Sequence, residues 1–128
     1  MDYVKTEVLQ ENQLNRAAEL MLSGHVVAFP TETVYGLGAP IFCEETVRKI
    51  FLAKGRPSDN PLIAHVSSMA MVEQIAREIP QDFYTLSDAF FPGPLTLVLK
   101  KHTNVPASVS AGLDTIALRM PSNEIARA

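Results

Sequence analysis

The sequence predicts a single domain mixing helices and strands, an α/β (α+β) fold, on three observations. At 128 residues, 47% of them hydrophobic and 20% charged, the chain is long enough to bury a core and ordinary in composition for a globular protein. Stretches with apolar residues at helical spacing alternate with short apolar runs that read as strands. No repeat, low-complexity segment or linker divides the chain, so residues 1–128 read as one domain.

Residues 12–23 read as a helix capped by Asn12, with Leu14, Ala17, Ala18, Met21 and Leu22 near one face and Gly24 at its stop. His25 to Phe29 is a short strand halted by Pro30. Glu44 to Ala53 is a second helix burying Val47, Ile50 and Phe51, with Lys54 and Gly55 at its C-terminus. Leu62 to Val66 is a strand, and Ser67 or Ser68 caps a helix running to about Arg77. A fourth helix covers Asp82 to Phe90, and Phe91-Pro-Gly-Pro turns the chain into a strand from Leu95 to Leu99. Residues 100–113 read as a polar connection and Thr115 to Met120 as a strand, after which Pro121 and Ser122 open a short helix with Glu124 in its first turn.

Charge and cysteine content narrow the function classes. A formal charge of -3 argues against a globally polybasic nucleic-acid binder while allowing a local basic cleft. A lone Cys43 excludes an intramolecular disulfide framework and suits a reducing compartment. The N-terminus lacks the pattern of a signal peptide, and no apolar run approaches the roughly 18 residues that span a bilayer. A cytoplasmic protein without a membrane anchor is the expectation.

Two ten-residue stretches concentrate chemistry. Phe29-Pro-Thr-Glu-Thr-Val-Tyr-Gly-Leu-Gly places polar side chains between a proline and glycines at the end of a buried strand. Ala53-Lys-Gly-Arg-Pro-Ser-Asp-Asn-Pro-Leu sets two cations and an asparagine among turn-forming residues. Loops on rigid scaffolds carry function, and paired cations suit a phosphate or carboxylate. Lys54 and Arg56 also suit the negative end of a helix dipole, and both readings stay open.

His65 interrupts an apolar strand, as a partly buried histidine bonded to backbone or as a site residue. Arg119, inside Ile-Ala-Leu-Arg-Met, needs an anion, either a structural partner such as Glu32 or Asp114 or a ligand. Thr115 is either an ordinary strand former or a hydroxyl facing a nucleotide. Cys43 reads as a core or helix-start residue, since nothing adjacent would lower its pKa. Lys100, Lys101 and His102 read as a solvated strand end, with tRNA contact as the lesser alternative. His25 and His102 lie in unrelated contexts, so no metal site follows. The Walker loop, the dinucleotide fingerprint, the Gly-x-Ser-x-Gly elbow and the Cys-x-x-Cys pair are all missing.

Together with Phe91-Pro-Gly-Pro-Leu-Thr and Ala117-Leu-Arg-Met-Pro, these motifs resemble, in order, those of the Sua5/YrdC/YwlC family of threonylcarbamoyl-AMP synthases. The resemblance runs from about Leu14 to the end of the chain. It implies a YrdC/RibB-like twisted mixed β-sheet with flanking helices around a concave basic cleft. It further implies a nucleotidyltransferase that joins L-threonine, bicarbonate and ATP into threonylcarbamoyl-AMP and pyrophosphate. A threonylcarbamoyl-transfer complex would then pass the group to an adenosine of tRNAs reading ANN codons. By motif, Thr33 and His65 resemble threonine contacts and Arg119 the holder of its carboxylate, with Thr31 and Tyr35 lining the same loop. Lys54, Arg56, Asn60 and Thr115 resemble the nucleotide set, Lys54 and Arg56 carrying the catalytic charge. Magnesium would come with ATP, bridging its phosphates, and no prosthetic group is implied.

The family continues with a Ser-Ala-Asn-containing segment that completes both sites, so the resemblance implies a C-terminus incomplete at Ala128. Residues 1–128 alone are expected to bind ATP weakly, to make no threonylcarbamoyl-AMP and to self-associate through an uncovered strand edge. Two rival functions remain: a non-catalytic YrdC-like module binding tRNA or double-stranded RNA, and carbamoyl-adenylate transfer of the kind used in hydrogenase maturation.

Overall fold

A computed structural model describes residues 5–55 and 61–128. A 3-10 turn at Glu11–Gln13 leads into α1 (Leu14–Leu22), β1 (Val27–Phe29), β2 (Gly36–Gly38) and α2 (Glu44–Lys54). Next come β3 (Ile63–His65), α3 (Met69–Ile75), β4 (Ala76–Arg77), α4 (Gln81–Phe90) and β5 (Leu97–Lys101). The order closes with α5 (Ala107–Ser110), β6 (Thr115–Arg119) and α6 (Glu124–Arg127). The fold is thus mixed α/β, its strands shared between an antiparallel β1-β2 pair and a four-stranded sheet ordered β3-β6-β5-β4. Within the larger sheet β3 runs parallel to β6, whereas the β6-β5 and β5-β4 pairs are antiparallel.

Strand alternation gives that sheet two unlike faces. Ile116, Leu118 and, across the register, Leu99 point into the core with Val72, Ile75, Phe83, Val105 and Val109 from the helices and connections. The opposite face carries Thr115, Ala117 and Arg119 of β6, Ile63 and His65 of β3, and Val98 and Lys100 of β5. Here Ile63 is 52% and Val98 62% exposed.

Helix α2 packs through Thr46, Val47, Ile50 and Phe51, a three-and-four spacing that makes one buried face. Glu44 and Glu45 in its first turn and Lys54 in its last complement the dipole. Gly55 ends it in the left-handed conformation (φ 62°), which glycine adopts without strain. Leu62 re-enters by donating its N–H to Val109 O of α5 (2.9 Å).

The departures from the expected elements are partly local caps and partly a strand pairing distant in sequence. A Gln10–Gln13 capping box, not Asn12, starts the first helical segment. Helix α1 is peripheral, with Ala18 and Leu22 on its exposed side and no residue fully buried. Ser68 caps α3 by accepting the Met71 N–H, but the helix stops at Ile75 because Ala76 and Arg77 pair with Lys101 and Lys100. That pairing makes Lys100 and Lys101 part of β5 rather than a frayed strand end. The 100–113 connection contains α5, whose Val109 and Ser110 are buried. Asn123 caps α6, accepting the N–H groups of Ile125 and Ala126, where Ser122 would have been the sequence choice. Cys43 does begin α2, yet Thr46 Oγ1 lies 2.9 Å from its sulfur and Thr46 pulls the thiol below its usual pKa. Among the described residues no helix is long and apolar enough to cross a membrane.

The two faces make opposite stability predictions. Leu118→Ala empties a position with no exposed surface and should cost about 2–5 kcal/mol. Val98→Thr on the open face should change stability by no more than about 0.5 kcal/mol. Urea melts of both variants check the assignment; comparable losses would reverse or abolish the distinction between faces.

Candidate functional site

The polar cluster forms where the loop after β1 meets the C-terminal ends of β3 and β6. The first requirement is a close approach in the small sheet. Gly36 pairs with Phe29 and Gly38 with Val27, and the Phe29 ring lies across both glycines. A Cβ on Gly38 would fall 2.6 Å from the ring edge. Held there, Phe29 meets the His65 imidazole edge-on, with ring centroids 5.6 Å apart.

Beyond Pro30, Thr31 shapes the loop. Its Oγ1 accepts the N–H groups of Thr33 (3.2 Å) and Val34 (3.1 Å) and donates to Val34 O, a compact hydroxyl-backbone turn. The two hydroxyls, Thr31 Oγ1 and Thr33 Oγ1, lie 3.1 Å apart. This turn aims Glu32 and Thr33 at Arg119, which sits beside His65 in the β3-β6 register. The Arg119 Nε donates to Gly93 O (3.0 Å) and its Nη1 to Thr33 Oγ1 (3.2 Å), while Nη2 bonds Glu32 Oε1. Glu32 Oε2 receives the Ser122 N–H (2.6 Å) and the Ser122 hydroxyl.

Arg119 is 8% exposed, so an unpaired guanidinium would be costly there. Glu32 meets that need, one of the two structural partners open to it in the sequence. Asp114, the other, binds Arg77. The Glu32 carboxyl is held below the usual carboxylate range, chiefly by the Ser122 hydroxyl, with the Ser122 N–H and Arg119 adding to it. Burial lowers the His65 pKa, Arg119 lowers it further, and Glu32 opposes the shift. The imidazole therefore stays neutral at neutral pH, with one ring nitrogen accepting and the other donating.

The structure brings Thr31, Thr33, His65 and Arg119 together. Tyr35 follows on the same loop with its side chain 79% exposed. Thr115 lies on the same sheet face at the other end of β6, roughly 13 Å along the strand. It lines a concavity of about 360 Å³ with Lys100, Glu78 and Val98. Lys54 is exposed at the end of α2. Arg56 and Asn60 lie outside the described residues. A larger concavity, about 750 Å³, opens between the end of α2 and α5 and includes none of the clustered polar residues. Its lining is mostly apolar, so the convergence of polar groups identifies the site better than volume does. Among the described residues no group of three or more His, Cys, Asp or Glu side chains converges to hold a metal ion.

Sequence reasoning missed Phe29, Gly93 and Ser122 as parts of this cluster. Phe29 carried a signal in the Gly-Leu-Gly that follows it, since glycines two apart on one strand make room for a ring on the next. Gly93 and Ser122 act through contacts 26 and 90 residues away, for which a single sequence offers no cue.

With this geometry in place, comparison with known proteins gives the family. The family model Sua5/yciO/yrdC, described as "Telomere recombination", matches residues 19–128. The chain is 52% identical over 120 residues to the threonylcarbamoyl-AMP synthase of Pyrococcus abyssi, covering 94% of this chain and 35% of that protein. It is 47% identical over 126 residues to the Bacillus subtilis enzyme of the same name, covering 96% and 36%. The crystal structure of P. abyssi Sua5 complexed with L-threonine superposes with a TM-score of 0.89 at 52% identity, covering 94% of this chain and 36% of that one. The chain belongs to the Sua5/YciO/YrdC family, and it spans about a third of the length of these relatives.

Two predictions test the site's construction. Gly38→Ala should drive the Phe29 ring toward His65 and shift the imidazole resonances in an NMR spectrum; unchanged His65 signals would contradict the packing. Because the folded-state pKa of His65 is depressed, its contribution to stability is complete above the ordinary value of 6.5 and falls as pH drops through the folded value. His65→Asn should flatten the pH dependence of the urea midpoint below pH 6.5, and an unaltered profile would mean that the histidine titrates normally.

Proposed function

We propose that this chain supplies L-threonine and ATP contacts of a threonylcarbamoyl-AMP synthase, the function named for its relatives. The observation that carries the proposal is the Arg119–Thr33–His65 cluster. Arg119 presents a fixed guanidinium for an amino acid's carboxylate, steadied by the Thr33 hydroxyl that accepts from its Nη1. A neutral His65 offers a donor and an acceptor to a side-chain hydroxyl, which suits threonine over its apolar analogues. Thr115, at the other end of the same sheet face, is assigned to the nucleotide.

In this reading the amine of L-threonine combines with bicarbonate, losing water, to give a carbamate. A carbamate oxygen attacks the α-phosphorus of ATP, the bond from that phosphorus to the bridging oxygen of the β-phosphate breaks, and pyrophosphate leaves. The nucleophile is the carbamate itself, so the protein's work is to align two anions and spread the developing phosphoryl charge. Lys54 and Arg56 are assigned to that charge, Asn60 and Thr115 to the nucleotide, and Thr31 and Tyr35 to the walls of the threonine loop. The product would pass to the threonylcarbamoyl-transfer machinery acting on tRNA.

ATP–pyrophosphate exchange that requires both L-threonine and bicarbonate is the direct assay. The two rival functions predict no such dependence. In a full-length version, Arg56→Ala should lower exchange by about 100-fold or more while circular dichroism stays unchanged. Arg56→Lys should fail too, because a point charge cannot reproduce the planar two-donor fork. Near-normal exchange in either variant would remove Arg56 from the mechanism. His65→Ala should narrow the preference for L-threonine over 2-aminobutyrate by roughly five- to tenfold, the equivalent of one net hydrogen bond. Unchanged discrimination would return His65 to a purely structural role.

A further inference from the structure

We infer that Glu32 and Ser122 form a positioning pair that holds Arg119 in register for the carboxylate of the bound amino acid. The inference rests on the assignment of Arg119 as the carboxylate anchor and adds how that anchor is aimed. A guanidinium has five N–H donors. Three are committed, to Gly93 O, Thr33 Oγ1 and Glu32 Oε1, each contributed by a segment remote from β6 in sequence. Among the described residues these three contacts fix the guanidinium from three sides and leave one N–H on each terminal nitrogen, two donors for a carboxylate.

Glu32 could instead be a resident competitor, occupying Arg119 until the ligand's carboxylate displaces it. Its second oxygen argues otherwise. Glu32 Oε2 is engaged by both the N–H and the hydroxyl of Ser122, so the carboxylate is fastened independently of Arg119. The depressed Glu32 pKa follows the same order of causes, with Ser122 first and Arg119 last. A carboxylate anchored mainly by Ser122 remains in place when a second anion reaches Arg119, and its charge keeps the guanidinium from swinging toward that anion. The side chain of Glu32 is 24% exposed, so water moderates the repulsion between the two carboxylates.

Calorimetric titration of a full-length version with L-threonine and with L-threoninol, which lacks the carboxylate, reads this role directly. The unaltered protein should prefer L-threonine. Glu32→Gln replaces one acceptor with a donor that must face either Arg119 or Ser122. It should weaken L-threonine by about tenfold or more and leave L-threoninol within about twofold. Ser122→Ala keeps the backbone donor and should show a smaller loss of the same selectivity, which guards against a Glu32 variant that fails to fold. Equal weakening of both ligands would mean general loosening and overturn the positioning role. Tighter L-threonine binding by Glu32→Gln would overturn it in favour of competition. An unaltered protein that binds the two ligands equally, or binds neither, would overturn the Arg119 assignment itself and this inference with it.

Discussion

The burial of a guanidinium at the end of β6 organises the candidate site. Arg119 lies between the core-facing Leu118 and Met120 in a strand with neighbours on both sides. Removing one partner of a buried ion pair typically costs about 3–5 kcal/mol, and less where water reaches one carboxylate, as it does at Glu32. That penalty makes the loop carrying Glu32 and Thr33 a required neighbour of β6 rather than a free surface turn. The Thr31 turn, the β1-β2 pair and the Gly93 carbonyl are the local structures that meet the requirement. The same pairing holds His65 beside a cation, which contributes to keeping the imidazole neutral.

A second constraint acts through shape. The two glycines of β2 do not bind anything, yet they decide where the Phe29 ring lies and therefore how closely β1 approaches β3. The site is thus fixed from one side by charge and from the other by packing. On the open sheet face, Ile63, Ala117 and Val98 leave an apolar floor between the His65–Arg119 end and the Thr115 end. Preorganised polar groups flanking an apolar floor suit a ligand with charged and neutral parts better than a simple anion.

The sequence made the fold class, the order of the main helices and strands, and the motif residues legible, because local periodicity and turn chemistry act within a few residues. Val47, Ile50 and Phe51 reached the core from their spacing alone, and Ser68 capped α3 as its position indicated. The caps at Gln10 and Asn123 were settled locally, but at the end of α3 a distant partner decided. Ala76 and Arg77 have enough helical character to extend α3, but Lys100 and Lys101 offer a ladder and Asp114 an ion pair. For Arg119 the sequence offered Glu32 and Asp114 as examples of a structural partner; Glu32 takes that place and Asp114 binds Arg77. The requirement for a counter-charge was readable from one strand; its identity depended on another strand's register.

That distribution of counter-charges bears on the expected basic cleft. Arg119 is matched by Glu32, Lys100 by Glu78, and Arg77 by Glu78 and Asp114, so these cations add little net positive charge to their surroundings. Glu78 adopts a positive φ of 52° while bridging Arg77 and Lys100, and its carboxyl is held below the usual range, first by the Lys100 hydrogen bond. A polyphosphate needs stronger compensation than matched pairs supply. In the proposed reaction that compensation falls to Lys54, Arg56 and the magnesium carried by ATP. The Arg119 end then needs only enough positive character for one carboxylate. A matched Arg119–Glu32 pair fits that proposed division, because it would orient donors toward an amino acid's carboxylate without creating a general anion trap and would leave the nucleotide to charge at the other end.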